Sequence, residues 1–250
     1  MRIFGLIGYP LSHSFSAGYF KEKFKNEGIT DAQYLNFPIS SLNEFPLILE
    51  QYSEIKGLNV TIPYKEKIME FLDEVDNTAS KIGAVNTISI NKNPVTRKIK
   101  LIGYNTDADG FIASLKDLLC PDISQALILG TGGASKAIIY SLKKIGMDVL
   151  VVSRKPSKKQ ISYQEINNDL LKTHKLIVNT TPLGTFPKTD EAPDIPYHLL
   201  TKNHILHDLV YNPAETSFMK KGAQYGAKVK NGYQMLLEQA ELAWKIWNQK

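Results

Sequence analysis

The sequence predicts a protein of the α/β class, on three observations. Strand-like segments alternate with segments of helical period along all 250 residues. In the second half the strands are continuously apolar, as strands buried on both faces of a doubly wound sheet are. A glycine turn, "GTGG", lies between the first of those strands and the helix after it.

Each element follows from its local pattern. "RIFGLIG" is a strand followed by a helix over "SAGYFKEKFKNEG"; "YLNFPI" is a strand and "LNEFPLILEQY" a helix. In "GLNVTIP", Leu58, Val60 and Ile62 alternate with Asn59 and Thr61, the mark of a half-buried strand. Pro63 ends it, having no N–H for the ladder. "YKEKIMEFLD" carries Tyr64, Ile68, Phe71 and Leu72 at helical spacing, which predicts a helix with Lys65 in its first turn. "AVNTISI" and "KIKLIGYN" are strands separated by the exposed turn "NKNPVTRK". The helix "DADGFIASLKDLL" sets Phe111, Leu115, Leu118 and Leu119 on one side. After the breaker "CPDIS", "QALILGTGGASKAIIYSLKKIG" reads as strand, turn and helix. The strands "DVLVVSRK", "KLIVNTTP" and "HILHDLVYNP" follow, and "NGYQMLLEQAELAWKIWNQK" is a long closing helix. Such alternation predicts parallel sheet.

Composition narrows the class of function. Hydrophobic residues make up 43% and charged residues 22%, the balance of an ordinary globular protein. One cysteine excludes an intramolecular disulfide and a multi-cysteine metal cluster, so no metal site is expected. No segment has the apolar length of a membrane span, and "MRIFGLIG" reads as a strand rather than a leader. The expectation is a soluble, cytoplasmic protein. The net charge of +5 is spread along the chain, which suits an anionic small molecule and not a nucleic-acid surface.

Lys65 is the first candidate. A helix dipole disfavours a cation in the first turn, so its predicted place needs a reason. Two readings stand: a solvated surface lysine, or a member of a site with Asn59 and Thr61 at the carboxyl end of a strand, where open α/β sheets bind ligands. The glycine turn is the second candidate. Gly130 permits a tight turn and Gly132, with Gly133, lets a pyrophosphate approach the backbone at the helix N-terminus; Thr131 and Ala134 complete the turn. A structural turn is the alternative, and the third fingerprint position is Ser135 rather than Gly or Ala. At the end of the next strand an NAD site would carry a carboxylate. The sequence has Ser153, Arg154 and Lys155, with Lys158 beyond, cations suited to a 2′-phosphate, so NADP (NADPH) is the predicted cofactor.

The ordered motifs "GYPLSHSFS", "NVTIPYK", "GAVNT", "GYNTD", "GTGGASKA", "SRK", "NTTPLG", "DLVYNP" and "NGYQMLLEQA" resemble the shikimate dehydrogenase family along essentially the whole chain. The resemblance implies an N-terminal α/β substrate domain, 1–107 completed by the helix 232–250. A Rossmann-type NADP domain, 108–231, is inserted, with the active site in the cleft between them. It implies reversible reduction of 3-dehydroshikimate to shikimate, in the pathway to aromatic amino acids, with Lys65 as acid or base and Asp107 as its partner. Ser14, Ser16 and Tyr211 would hold the substrate carboxylate, and Asn59, Thr61, Asn86 and Gln239 the ring hydroxyls. Thr180, Leu209, Gly232 and Met235 would join the glycine turn and the Ser153–Lys158 segment around the cofactor. The expected partner is this small substrate, with the chain a monomer or homodimer.

Plain alternatives remain for single residues: Ser14 and Ser16 as helix caps, Asp107 as an N-cap, His13 as structural and Cys120 as a packed small residue. Ser153 replaces the family's asparagine, and two further departures stand out: Ala108-Asp109 replaces Gly-x, adding a carboxylate, and the chain is slightly short, which predicts trimmed loops in the cofactor half. The competing functions are a quinate/shikimate dehydrogenase of wider substrate and cofactor range, and a catalytically silent NADP-binding regulator. The latter would be free to lose Lys65 or Asp107, and both are present.

Overall fold

The computed structural model describes residues 1–11, 15–93, 95–120 and 122–249; Ser14 and His13 lie outside them. The chain divides into two compact units, Met1–Thr106 with Ala240–Lys250, and Asp107–Gln239. The second division falls inside the closing helix α8 (Tyr233–Trp247), beyond the Gly232 at which the sequence reading placed it. Among the described residues no helix is long and apolar enough to cross a membrane.

The first unit is built on a six-stranded sheet in the order β2-β1-β3-β5-β6-β4. β1 (Arg2–Gly8) is parallel to β2 (Ala32–Pro38) and β3 (Ile55–Val60), with α1 (Phe15–Asn26) and α2 (Phe45–Gln51) in the two crossovers. The expected parallel arrangement is broken at β5 (Thr87–Lys92), which is antiparallel to both β3 and β6 (Ile99–Tyr104), and returns only in the edge pair of β6 with Glu74–Val75. For the β5–β6 pair the reason is the length of the "NKNPVTRK" turn. Asn93 N–H donates to the Lys98 carbonyl at 2.9 Å and its side chain accepts from Val95 and Thr96, which makes a hairpin, and a parallel return needs a crossover of a dozen or more residues.

β4 (Glu74–Val75) and α3 (Asn77–Ile82) have no counterpart in the sequence reading. Their signal was present: Asp76 caps α3 by accepting from Ala79 N–H at 2.8 Å, and Gly83 at φ 72° ends it. β3 is not the half-buried strand its alternation predicts. As an inner strand it is covered on both faces, and Asn59 is as buried as its apolar neighbours. One face packs Ile7, Leu58, Ile68 and Ile88; the other packs Phe4, Phe20, Ala240, Ala243 and Trp247. The Trp247 ring lies where a Cβ at Gly57 would come within 2.2 Å of it, and its indole N–H donates to the Ile88 carbonyl at 3.0 Å.

The second unit carries a wholly parallel sheet in the order β12-β11-β10-β7-β8-β9. Its strands are β7 (Gln125–Leu129), β8 (Asp148–Val152), β9 (Gln160–Ile161), β10 (Leu176–Asn179), β11 (Ile205–Asp208) and β12 (Lys228–Lys230). The helices are α4 (Asp107–Leu115), α5 (Gly133–Lys144), α6 (Asn168–Thr173) and α7 (Ser217–Gln224). Numbered within the unit, the order is 3-2-1-4-5-6, the doubly wound dinucleotide-binding arrangement with its switch point between β7 and β10. β10 and β11 are buried throughout, as their apolar runs predict, but β8 buries only Val152. It lies one strand from the edge, beside the two-residue β9.

Candidate functional site

In the first unit the candidate residues gather at the carboxyl end of β3. Lys65 does not open a helix: a 3-10 helix starts only at Lys67, and Lys65 lies half-buried in the turn before it. The cause is its carbonyl, which accepts from Val85 N–H at 2.7 Å instead of serving a helical turn. Tyr64 anchors the same turn by donating its hydroxyl to the Ile39 carbonyl at 2.7 Å. The unfavourable dipole placement that the sequence raised therefore does not occur. Thr61 follows β3 directly and donates its N–H to the Ile7 carbonyl at 2.9 Å.

Asn59 and Asn86 come together through a network of neutral groups. Asn59 is paired with Thr87 across the β3–β5 ladder, and its Nδ2 donates to Thr87 Oγ1 at 3.2 Å and to the Asn86 carbonyl at 3.4 Å. Asn86 Nδ2 donates to Thr106 Oγ1 at 3.0 Å, while its Oδ1 accepts from Thr106 N–H at 2.7 Å and from Thr87 Oγ1 at 3.2 Å. Asn59, Asn86, Thr87 and Thr106 are all buried. Tyr34, on β2, donates to Asn59 Oδ1 at 2.8 Å and is hydrogen-bonded to Ser16, in the first turn of α1. Sequence reasoning missed Tyr34, Thr87 and Thr106, although the last two stand inside "GAVNT" and "GYNTD".

In the second unit Asp107 is the first residue of α4 and is buried. The extra carboxylate, Asp109, is exposed and pairs with Lys144 of α5 at 3.5 Å. Gly130 sits at φ 114°, where a Cβ would also come within 2.8 Å of Thr180 Oγ1. Thr180 closes the turn by donating its hydroxyl to the Leu129 carbonyl at 2.7 Å. Gly132 is the N-cap of α5, and the neighbouring Thr131 is exposed, with Gly133 and Ala134 half-buried. Ser135 fits where Gly or Ala was expected because its hydroxyl turns back to the Gly132 carbonyl at 2.6 Å. This helix start presents N–H groups and the positive dipole end to an anion.

Beyond β8, Ser153 accepts from Lys155 N–H at 3.2 Å, and Arg154, Lys155 and Lys158 are exposed. Leu209 and Gly232 meet backbone to backbone: a Cβ at Gly232 would lie 2.2 Å from the Leu209 oxygen. Met235 packs among Phe111, Leu115 and Ile205. Tyr211 is half-buried in the loop after β11, and Gln239 is buried, its Nε2 donating to the Leu236 carbonyl at 3.0 Å. Cys120, expected to be packed, is exposed.

A second cluster at the ends of β10 and β11 escaped the sequence reading. Asp208 accepts from Asn179 Nδ2 at 2.9 Å, Val210 N–H at 3.0 Å and the Thr216 hydroxyl at 2.6 Å. Asn179 Oδ1 accepts from Thr181 N–H and hydroxyl at 3.0 and 2.7 Å. Burial pushes the Asp208 carboxyl up to about 6, against the three donors that favour its charge. Its neighbour His207 is pushed down to about 3 by burial and the Lys230 cation, and it is bonded at Nε2 to Ser114 Oγ at 3.2 Å.

A doubly wound parallel sheet with a glycine turn at its switch point defines the class: a protein with a Rossmann-type dinucleotide-binding unit. A family model for the shikimate dehydrogenase substrate binding domain matches residues 6–88. The NADP(+) shikimate dehydrogenase of Methanococcus maripaludis is 37% identical, covering 100% of this chain and 92% of that protein. The crystal structure of shikimate dehydrogenase from Aquifex aeolicus superposes with TM-score 0.86 at 36% identity, over 99% of this chain and 92% of that one. Shikimate 5-dehydrogenase from Thermus thermophilus, solved with NADP(H) and shikimate, gives 0.84 at 31% identity, over 99% and 94%. The chain belongs to the shikimate dehydrogenase family.

Proposed function

We propose that this chain catalyses the reversible, NADPH-dependent reduction of 3-dehydroshikimate to shikimate. The observation that carries the reading is the neutral amide and hydroxyl network at the end of β3, with Lys65 held by a backbone bond to the residue before Asn86. Amides and hydroxyls both donate and accept, as reading a polyhydroxylated ring requires. The exposed basic segment after β8, with no carboxylate at the strand end, supports NADP over NAD. When bound, NADPH supplies the hydride. Negative charge then builds on the substrate carbonyl oxygen, and Lys65 gives it a proton; in the reverse direction Lys65 removes that proton. Asp107 is its acid–base partner. Ser14 and Ser16, with Tyr211, hold the carboxylate, and Asn59, Thr61, Asn86 and Gln239 take the ring hydroxyls. Thr131–Ala134, Ser153–Lys158, Thr180, Leu209, Gly232 and Met235 hold the cofactor. The protein acts in the cytoplasm, as a monomer or homodimer, without nucleic-acid or membrane partners.

The test is nicotinamide absorbance with purified protein, pairing shikimate or quinate with NADP or NAD. Rapid reduction with shikimate and NADP alone is the expected result. Comparable turnover with quinate or NAD would move the protein to the broader dehydrogenase, and NADPH binding without turnover would favour the silent regulator. In the same assay Arg154→Ala should weaken NADPH by about tenfold or more and NADH by less than about twofold. Equal losses would remove the 2′-phosphate reading.

A further inference from the structure

Tyr34 joins two regions that differ in character. Its ring belongs to the aromatic cluster, stacked on Phe20 with centroids 4.6 Å apart and planes at 12°, and lying 6.4 Å from Trp247. Its hydroxyl belongs to the polar network, between Ser16 and Asn59. A phenol has one proton. Since that proton goes to Asn59 Oδ1, Ser16 is the donor in its own bond to Tyr34 until a substrate carboxylate takes the serine proton. The direction then propagates: Asn59 turns its oxygen toward Tyr34 and both protons of Nδ2 toward Thr87 Oγ1 and the Asn86 carbonyl. A flipped amide would set Oδ1 against the Asn86 carbonyl and lose the phenol proton.

We infer that Tyr34 is a positioning residue for substrate selection, its hydroxyl holding the Asn59 amide in the one orientation that offers a ligand an acceptor and no donor. Both amide protons are engaged within the protein, and Oδ1 keeps one lone pair beyond the one Tyr34 occupies. Asn59 so held takes a ring hydroxyl that donates and rejects a group that can only accept. The inference rests on the proposed contact of Asn59 with the substrate, and it adds to that contact a cause and a polarity.

Tyr34→Phe is the variant to make, because it keeps the ring and its stack and removes only the hydroxyl. The experiment is a cycle of wild type, Tyr34→Phe, Asn59→Ala and the double variant, with KM for shikimate, KM for NADP and kcat measured on each. Tyr34→Phe should raise KM for shikimate by about tenfold, the size of one buried hydrogen bond. KM for NADP should stay unchanged and kcat within about threefold, with a thermal midpoint within about 5 °C of wild type. In the Asn59→Ala background the same change should add nothing, since Tyr34 acts through Asn59. A loss of the same size in both backgrounds, or an unchanged KM in Tyr34→Phe, overturns the inference. An unchanged KM in Asn59→Ala overturns instead the contact on which it rests.

Discussion

The two sheets end in polar clusters of opposite kind. In the first unit, the side chains of Asn59, Asn86, Thr87 and Thr106 are buried, uncharged and hydrogen-bonded to one another. In the second, the buried carboxylate of Asp208 holds Asn179, Val210 and Thr216, with His207 beside it in the chain. A neutral network presents amides and hydroxyls without any dependence on pH, which suits reading hydroxyls. A buried carboxylate makes stronger bonds but ties the geometry to its own ionisation. In this chain the first kind of cluster lies where the substrate is proposed, and the second braces loops proposed to hold the cofactor.

The largest expected effect tests whether the neutral cluster is served by a charged neighbour. Lys65→Ala should lower kcat by about 10³-fold or more while NADPH binding, followed by fluorescence, stays within about twofold. Turnover near wild type would remove Lys65 from the chemistry and leave the network as a binding device alone.

A smaller effect tests the pH dependence on which the contrast turns. The folded Asp208 carboxyl, at about 6, keeps its proton between pH 3.8 and 6, where the unfolded chain has lost it, so its contribution to stability falls as pH rises through that window. The folded His207, at about 3, lacks a proton that the unfolded chain carries up to about 6.5, so its contribution rises with pH from about 3 to 6.5. The two oppose each other between pH 4 and 6, each on the order of 2–4 kcal/mol. Asp208→Asn leaves His207 unopposed, and the urea midpoint should climb more steeply from pH 4 to 6 than in wild type. Asn59→Ala, in the neutral cluster, should lower the midpoint equally at pH 4 and pH 7. A parallel pH profile for Asp208→Asn and wild type would break the contrast.

The smallest effect concerns the departure at Asp109. Its partner is the exposed Lys144 at 3.5 Å, and exposed pairs are worth roughly 0–1 kcal/mol. Asp109→Gly should leave kcat within about twofold and the thermal midpoint almost unmoved. A large kinetic change would mean that this carboxylate acts on the site after all.

The second unit was the more legible of the two. β10 and β11 are buried on both faces, so their apolar runs announce them, and Gly130 is demanded by a φ of 114° that few other residues adopt. The first unit was harder because strand direction depends on what the intervening loop can span. "NKNPVTRK" reads as a turn, yet the alternation of strands and helices argues for parallel sheet. Lys65 was misplaced because the group that takes its carbonyl, Val85 N–H, lies twenty positions along the chain. The candidate site is legible as residue types and not as bonds: Asn59 and Asn86 stand in readable motifs, whereas Tyr34 has no motif and meets Asn59 only because β2 and β3 flank β1. Asp208 does stand in a readable motif, "DLVYNP", but its partners come from β10 and from the cap of α7, so its bonds are no more legible.

By itself the sequence determined the α/β class, the strand–turn–helix for a dinucleotide, the basic segment after the second strand of that unit, and the family, since each of these is written in contiguous residues. Only the tertiary structure decided the antiparallel β5, the turn that holds Lys65, and the direction of the hydrogen bonds from Ser16 through Tyr34 to Asn59. Those depend on which backbone and side-chain groups meet across strands, and a buried polar group must find its partner wherever the fold brings one.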